Sequence, residues 1–137
     1  NVNGIVVLVV AVVLTVVLAL AFQVKNGRFS AKPNTERLGA DELGSSLGER
    51  ATLVQFSSAF CAPCRATRVL LTDIAAKTPG VVTIEIDAEE RLELTRKLNI
   101  LRTPTVLVLD SKGRVTRRAS GLPRREQVLA ALDIAVA

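Results

Sequence analysis

Two hydrophobic patterns divide the chain: one uninterrupted apolar run, and a longer region in which apolar and polar positions alternate. The run extends from Gly4 to Phe22, and Thr15 is its only polar side chain. At helical rise its roughly 19 residues span about 28 Å, close to the ~30 Å hydrocarbon core of a bilayer. A core helix of a soluble protein would carry a polar face, which this run lacks. We therefore predict a transmembrane helix in residues 1–22, with a cleaved signal peptide as the alternative.

Residues 23–37 are predominantly polar and include the turn formers Gly27 and Pro33. Their hydrophobicity is too low for an independent core, so we predict a short linker. Basic residues, beginning with Lys25 and Arg28, follow the apolar run, and none precedes it. The positive-inside rule then favours a single-pass protein of the cell membrane whose C-terminal domain is cytoplasmic, with an extracytoplasmic domain as the alternative.

Residues 38–137 carry the periodicities of one α/β domain. Apolar and alternating segments predict strands at 51–57, 81–87, 105–109 and 114–120. Helical spacing predicts helices over 41–47, from 64 to the Pro79-Gly80 stop, over 89–98 and near the C-terminus. The predicted apolar face of the last helix consists of Val128, Leu129, Leu132, Ala135 and Val136. Because a βαβ unit precedes a helix, a hairpin and a final helix, we predict a mixed sheet with helices on both faces.

Composition excludes several kinds of site. The chain has two cysteines and no histidine, too few ligands for a closed zinc site, and a cysteine hydrolase would lack its usual base. Covalent haem attachment would need a histidine after Cys64, where the chain has Arg65. A net charge of +5, with four phenylalanines as the only aromatic residues, does not indicate nucleic-acid binding. We therefore predict no metal, no bound cofactor and no nucleic acid.

The two cysteines, Cys61 and Cys64, stand where a predicted strand meets a predicted helix. A bridge between them would close a loop too small to add much stability, so the spacing favours redox chemistry. Free N–H groups and the helix dipole would stabilise a thiolate at Cys61, and Pro63 suits the first helical turn. We predict that Cys61 is the nucleophile and Cys64 the resolving thiol.

Two motifs resemble the thioredoxin superfamily: residues 60–65 (Phe-Cys-Ala-Pro-Cys-Arg) and residues 103–105 (Thr-Pro-Thr). The resemblance extends from about residue 36 to the C-terminus and implies a thioredoxin-like fold with a redox-active Cys61–Cys64 disulfide. It also implies a cis proline at Pro104 beside the dithiol, although an isolated Thr-Pro would normally be trans. The backbone of Thr103 would then pair with a bound substrate, and Phe60, Ala62 and Pro63 would complete the substrate-binding surface.

The chain departs from the family pattern on two strands. The family's buried acid falls at Gln55, which cannot ionise, and its lysine partner falls near Glu85. One hypothesis is that the carboxylate has moved to the neighbouring strand, so that Glu85 is a buried acid that accepts the Cys64 proton. The alternative is a solvated glutamate at a strand edge.

These observations predict a membrane-anchored thiol–disulfide oxidoreductase, most simply a reductant of protein disulfides. Its partners would be protein thiols or disulfides, an unidentified electron donor and other membrane proteins. Three alternatives remain: an extracytoplasmic reductase similar to tethered TlpA-type proteins, a redox-inactive interaction subunit of a membrane complex, and a persulfide carrier.

A basic cluster surrounds the predicted hairpin and last helix. It is either a solvated face or a contact for anionic headgroups or an acidic partner. Its members are Lys112, Arg114, Arg117, Arg118, Arg124 and Arg125.

Overall fold

The computed structural model describes residues 1–25, 29–30 and 37–137. Helix α1 runs from Val2 to Lys25, so it continues three residues past the predicted 1–22 segment. Its Val2–Gln23 portion is long and apolar enough to cross a bilayer, and its most apolar window is not buried by the rest of the described chain. Of the predicted 23–37 linker, residues 26–28 and 31–36 lie outside the described residues.

A five-stranded mixed sheet forms the centre of the domain, in the order β1-β5-β4-β2-β3. Strands β2 and β3 are parallel, and the other neighbouring pairs are antiparallel. The predicted fold, a mixed sheet flanked by helices, is confirmed. The strands are β1 Phe29–Ser30, β2 Ala51–Ser57, β3 Val81–Asp87, β4 Thr105–Asp110 and β5 Val115–Ser120, and the remaining helices are α2 Ala40–Leu43, α3 Ala62–Lys77, α4 Leu92–Lys97 and α5 Arg125–Val136.

Hydrophobic residues are buried on both faces of the sheet, and β2 contributes to both. Val54 and Phe56 belong to the core cluster that also contains residues of α2 and α4. Leu53 belongs to the opposite cluster, where Leu71 of α3 and Val128 of α5 cover the sheet. Because β2 is covered on both faces by helices, all seven of its residues are buried.

Two predicted helices are shorter in the structure. Helix α2 ends at Gly44, whose φ of 76° is the left-handed conformation that glycine adopts at helix C-termini. Helix α4 begins at Leu92 rather than at residue 89. Before it, the Asp87 carboxylate accepts a hydrogen bond of 2.8 Å from the Glu89 N–H, which holds the chain in a turn.

The C-terminal helix α5 is rotated relative to the prediction. Leu129 was expected on the buried face, but its side chain is 42% exposed. Ala131 is buried in its place, together with Val128, Leu132 and Ala135.

Candidate redox-active site

The two cysteines lie at the junction between β2 and α3. Cys61 is the residue that caps the N-terminus of α3, and Cys64 lies in its first turn. They form a disulfide with their Cα atoms 5.3 Å apart. Cys64 is only 1% exposed, whereas Cys61 is partly accessible. A second protein can therefore approach Cys61, while Cys64 is reached only from within the site.

The N-terminus of α3 provides the electrostatic environment of Cys61. Pro63 lies in the first turn, where its missing N–H has no intrahelical partner to lose. No acidic residue occurs in that turn, so the positive end of the helix dipole acts on the reduced sulfur without a neighbouring carboxylate to oppose it. This arrangement favours the thiolate of Cys61 in the reduced protein.

Gln55 connects the central strand to the dithiol. It is 1% exposed, and its side-chain N–H donates a hydrogen bond of 2.8 Å to the carbonyl oxygen of Cys64. The sequence indicated only that this position had lost the family's acid. The structure shows that its amide ties β2 to the first turn of α3. The available signal was the one amide side chain of a strand whose other residues are apolar or carry a hydroxyl.

Glu85 is not the buried acid that the sequence hypothesis required. It is the register partner of Gln55 but belongs to β3, the edge strand of the sheet. Its side chain is 36% exposed. Its carboxylate accepts hydrogen bonds from both Nε and Nη2 of Arg68, and this contact raises the pKa of the Arg68 guanidinium. The hypothesis of a buried acid is wrong, and the alternative, a solvated glutamate at a strand edge, is confirmed. The pattern of one strand does not tell whether that strand lies at an edge.

The loop that carries Pro104 is held beside the dithiol loop. Thr105 pairs with Phe56 near the end of β2, and the Thr103–Pro104 peptide bond is cis, the isomer that the resemblance implies. The hydroxyl oxygens of Ser58 and Thr103 are 2.9 Å apart. The Gly121 N–H donates to the carbonyl of Pro104 at 2.7 Å. Residues 58–64 and 103–105 thus lie side by side at one end of the sheet.

Exposed apolar side chains occur around this end of the sheet. Phe60, next to Cys61, is fully exposed, and Leu101 precedes Thr103 by two residues. We define the apolar rim as Phe60, Ala62, Pro63, Leu101 and Leu122, all of them exposed. The sequence prediction missed Leu101 and Leu122, although Leu101 lies two residues before Thr103 and Leu122 follows Gly121, whose N–H binds the carbonyl of Pro104. A group of exposed apolar residues is typical of a protein-contact surface.

The predicted basic cluster does not act as one group, because most of its members have partners of their own. Arg114 pairs with Asp110, and Arg125 pairs with Asp73. Arg118 donates to the carbonyls of Leu98 and Asn99 at the C-terminal end of α4.

Among the described residues, no group of three or more His, Cys, Asp or Glu side chains could hold a metal ion.

Comparison with known proteins decides the family. The sequence profile described as Thioredoxin matches residues 38–133, well over half of the chain. The chain belongs to the thioredoxin family. Thioredoxin from Alicyclobacillus acidocaldarius is 33% identical over 86 residues, which cover 62% of this chain and 81% of that protein. Human thioredoxin domain-containing protein 2 is 33% identical over 99 residues, which cover 69% of this chain but 18% of that protein.

Solved thioredoxin structures share the fold. A mutant thioredoxin of Halobacterium salinarum superposes with a TM-score of 0.59 at 18% identity, covering 65% of this chain and 77% of that one. Thioredoxin f from spinach chloroplasts gives 0.57 at 22% identity, covering 66% and 80%. The chain spans less than two thirds of the length of several curated relatives that it matches.

Proposed function

We propose that this thioredoxin-family chain is a thiol–disulfide oxidoreductase that reduces protein disulfides at a membrane surface. The observation that carries the proposal is the unequal exposure of the two cysteines at the N-terminus of α3. One sulfur is accessible to a substrate, and the other is positioned behind it to resolve the complex. The cis Pro104 loop and the apolar rim beside them support a protein substrate.

The reaction would take two exchange steps. The Cys61 thiolate attacks one sulfur of the substrate disulfide, forms a mixed disulfide and releases the other substrate sulfur as a thiolate. The Cys64 thiolate then attacks the Cys61 sulfur and releases the second substrate thiol. Two electrons pass from the dithiol to the substrate, and the protein is left with the Cys61–Cys64 disulfide that the structure contains. A separate electron donor must reduce that disulfide before the next cycle.

Membrane attachment is supported by α1, which is apolar on all sides and has no protein surface to cover it within the described residues. Extraction tests this part of the proposal. We expect the mature protein to remain with membranes at alkaline pH and to retain residues 2–25. Release into the soluble fraction with residues 1–22 removed would show instead that the segment is a signal peptide.

The exchange chemistry is tested with matched cysteine variants of the full chain in detergent. Cys61→Ser should abolish reduction of a protein disulfide such as insulin. Cys64→Ser should accumulate a mixed disulfide at Cys61 that dithiothreitol releases. The double serine variant is the control for incidental thiol reactions. If that double variant supports the protein's cellular role as well as the wild type does, the chain is a binding subunit and the proposal is wrong.

A further inference from the structure

Strand β1, the first strand after α1, begins at the end of the sheet that carries the dithiol. One row of register partners crosses four strands, from Phe29 of β1 through Ala119 and Val106 to Gln55 of β2. Gln55 in turn donates its hydrogen bond to the carbonyl of Cys64. The first residue of β1 therefore lies in the same cross-sheet row as the residue that contacts the dithiol turn.

The direction of β1 shows at which end of the sheet this strand begins. Phe29 pairs with Ala119 and Ser30 with Arg118, so β1 runs away from the end of β5 that leads to Gly121. The Gly121 N–H is the group that binds the carbonyl of Pro104. Strand β1 therefore begins at the Pro104 end of the sheet, and not at the end that carries the β4–β5 turn.

The connection is short. Helix α1 ends at Lys25 and β1 begins at Phe29, so at most about 14 Å of extended chain separates their Cα atoms. Strands β1, β5, β4 and β2 are neighbours in that order, and three interstrand spacings add about 14 Å. The Cα atom of Gln55 therefore lies within about 30 Å of the last residue of α1.

The geometry points to a dithiol end that faces the bilayer and lies within about 30 Å of the membrane surface. There it would act on a disulfide of a membrane-embedded protein. This inference rests on the proposed function, both the anchor and the exchange reaction. A folded domain of about 100 residues has a radius of gyration of ~13 Å, so a soluble substrate of similar size would be hindered between the dithiol and the bilayer. The apolar rim lies on the same end and fits a partner at the membrane surface.

Orientation can be measured without activity. In the Cys61→Ser/Cys64→Ser background, full chain in vesicles would carry one fluorophore at Leu122→Cys or at Lys112→Cys. Both positions are exposed, the first beside the dithiol end and the second in the β4–β5 turn at the other end of the sheet. Headgroup-quencher lipids should quench the label at 122 at least twofold more than the label at 112. Equal quenching, or stronger quenching at 112, would overturn the orientation.

Substrate access is measured by lengthening the connection. A flexible insertion of 20 residues between Lys25 and Phe29 keeps the anchor but frees the orientation, and the same insertion after Ala137 is the matched control. In vesicles, the first insertion should raise the rate of insulin reduction several-fold, and the second should leave it unchanged. A rate unaffected by both insertions contradicts the inference.

Reduction of a small aromatic disulfide tests the proposed exchange activity independently of the membrane-facing orientation. The wild type and both insertion variants are compared. All three proteins should reduce it at equal rates, because a small molecule is not excluded by the bilayer. If none reduces it, the proposed exchange activity has failed. If all reduce it and insulin reduction is insensitive to the connection, only the membrane-facing substrate is wrong.

Discussion

At the end of the sheet that carries the dithiol, the loops are joined by hydrogen bonds between uncharged groups. At the opposite end, the β4–β5 turn is held by hydrogen bonds to one carboxylate, that of Asp110. The dithiol end uses the amide of Gln55 and the hydroxyls of Ser58 and Thr103. At the other end, Asp110 accepts hydrogen bonds from the backbone of Lys112 and from the backbone and side chain of Arg114. The contacts of Gln55, Ser58 and Thr103 involve no group that changes charge, so these contacts should hold over a wider pH range than those of Asp110.

Among the substitutions that test the difference between the two ends, Gln55→Ala should have the largest effect on stability. It removes the hydrogen bond to Cys64 and leaves a cavity in the core, and we expect a loss of about 2–3 kcal/mol in the free energy of unfolding. Gln55→Leu, which fills the volume, should lose only about 1 kcal/mol. Chemical denaturation of the oxidised full chain in detergent measures both. If the leucine variant is more stable than the wild type, the amide does not stabilise the reactive end.

Phe60→Ala should separate binding from stability at the same end. Phe60 is fully exposed, so its removal should leave the melting temperature unchanged. We expect kcat/KM for a protein disulfide to fall by roughly tenfold, because an exposed aromatic anchor of a contact surface is lost. Reduction of a small aromatic disulfide should be unchanged. Val69→Ala, at an exposed position of α3, is the control; an equal loss there would show that the rim has no special role.

Asp110→Asn tests how much the carboxylate at the β4–β5 turn contributes to the free energy of unfolding. Burial opposes ionisation of Asp110, but hydrogen bonds from Arg114 and Lys112 outweigh it and hold its pKa below the ordinary value. A lowered folded-state pKa stabilises the protein above the unfolded value of about 3.9, and this contribution is lost as the pH falls through the folded value. The variant should therefore lose about 1 kcal/mol at pH 7.

The difference in unfolding free energy between wild type and Asp110→Asn should shrink as the pH falls below about 4. Denaturation at pH 7 and pH 3 measures it. A difference that stays constant between these pH values would mean that the turn is held by geometry alone.

The smallest effect is expected for Glu85→Gln. Its partner Arg68 is exposed on the helix surface, and an exposed pair contributes little. The rate of disulfide reduction should be unchanged from pH 6 to 9, as it should be for Glu42→Gln, which breaks the exposed pair with Lys97. A pH-dependent loss of rate in the Glu85 variant alone would restore this carboxylate as the proton acceptor.

The sequence predicted those parts of the fold whose pattern is local. Strands β2 and β3 have their predicted bounds because their apolar residues alternate or run continuously between turn formers. The dithiol was found from its four-residue motif, and Pro104 through the resemblance to the thioredoxin superfamily. Strand β1 was not predicted because two residues carry no period, and β5 rather than β1 itself determines the pairing. The sequence left Glu85 open between a buried acid and a solvated glutamate for a related reason, since strand order is not encoded within a strand.

The antiparallel pairing of β1 also bears on how a soluble fragment should be cut. A fragment that begins at residue 38, where the family match starts, would lack Phe29 and Ser30 and leave the outer edge of β5 unpaired. Unpaired strand edges are templates for aggregation. A fragment that begins just before Phe29 keeps this edge paired while omitting α1, and is the better choice for crystallisation.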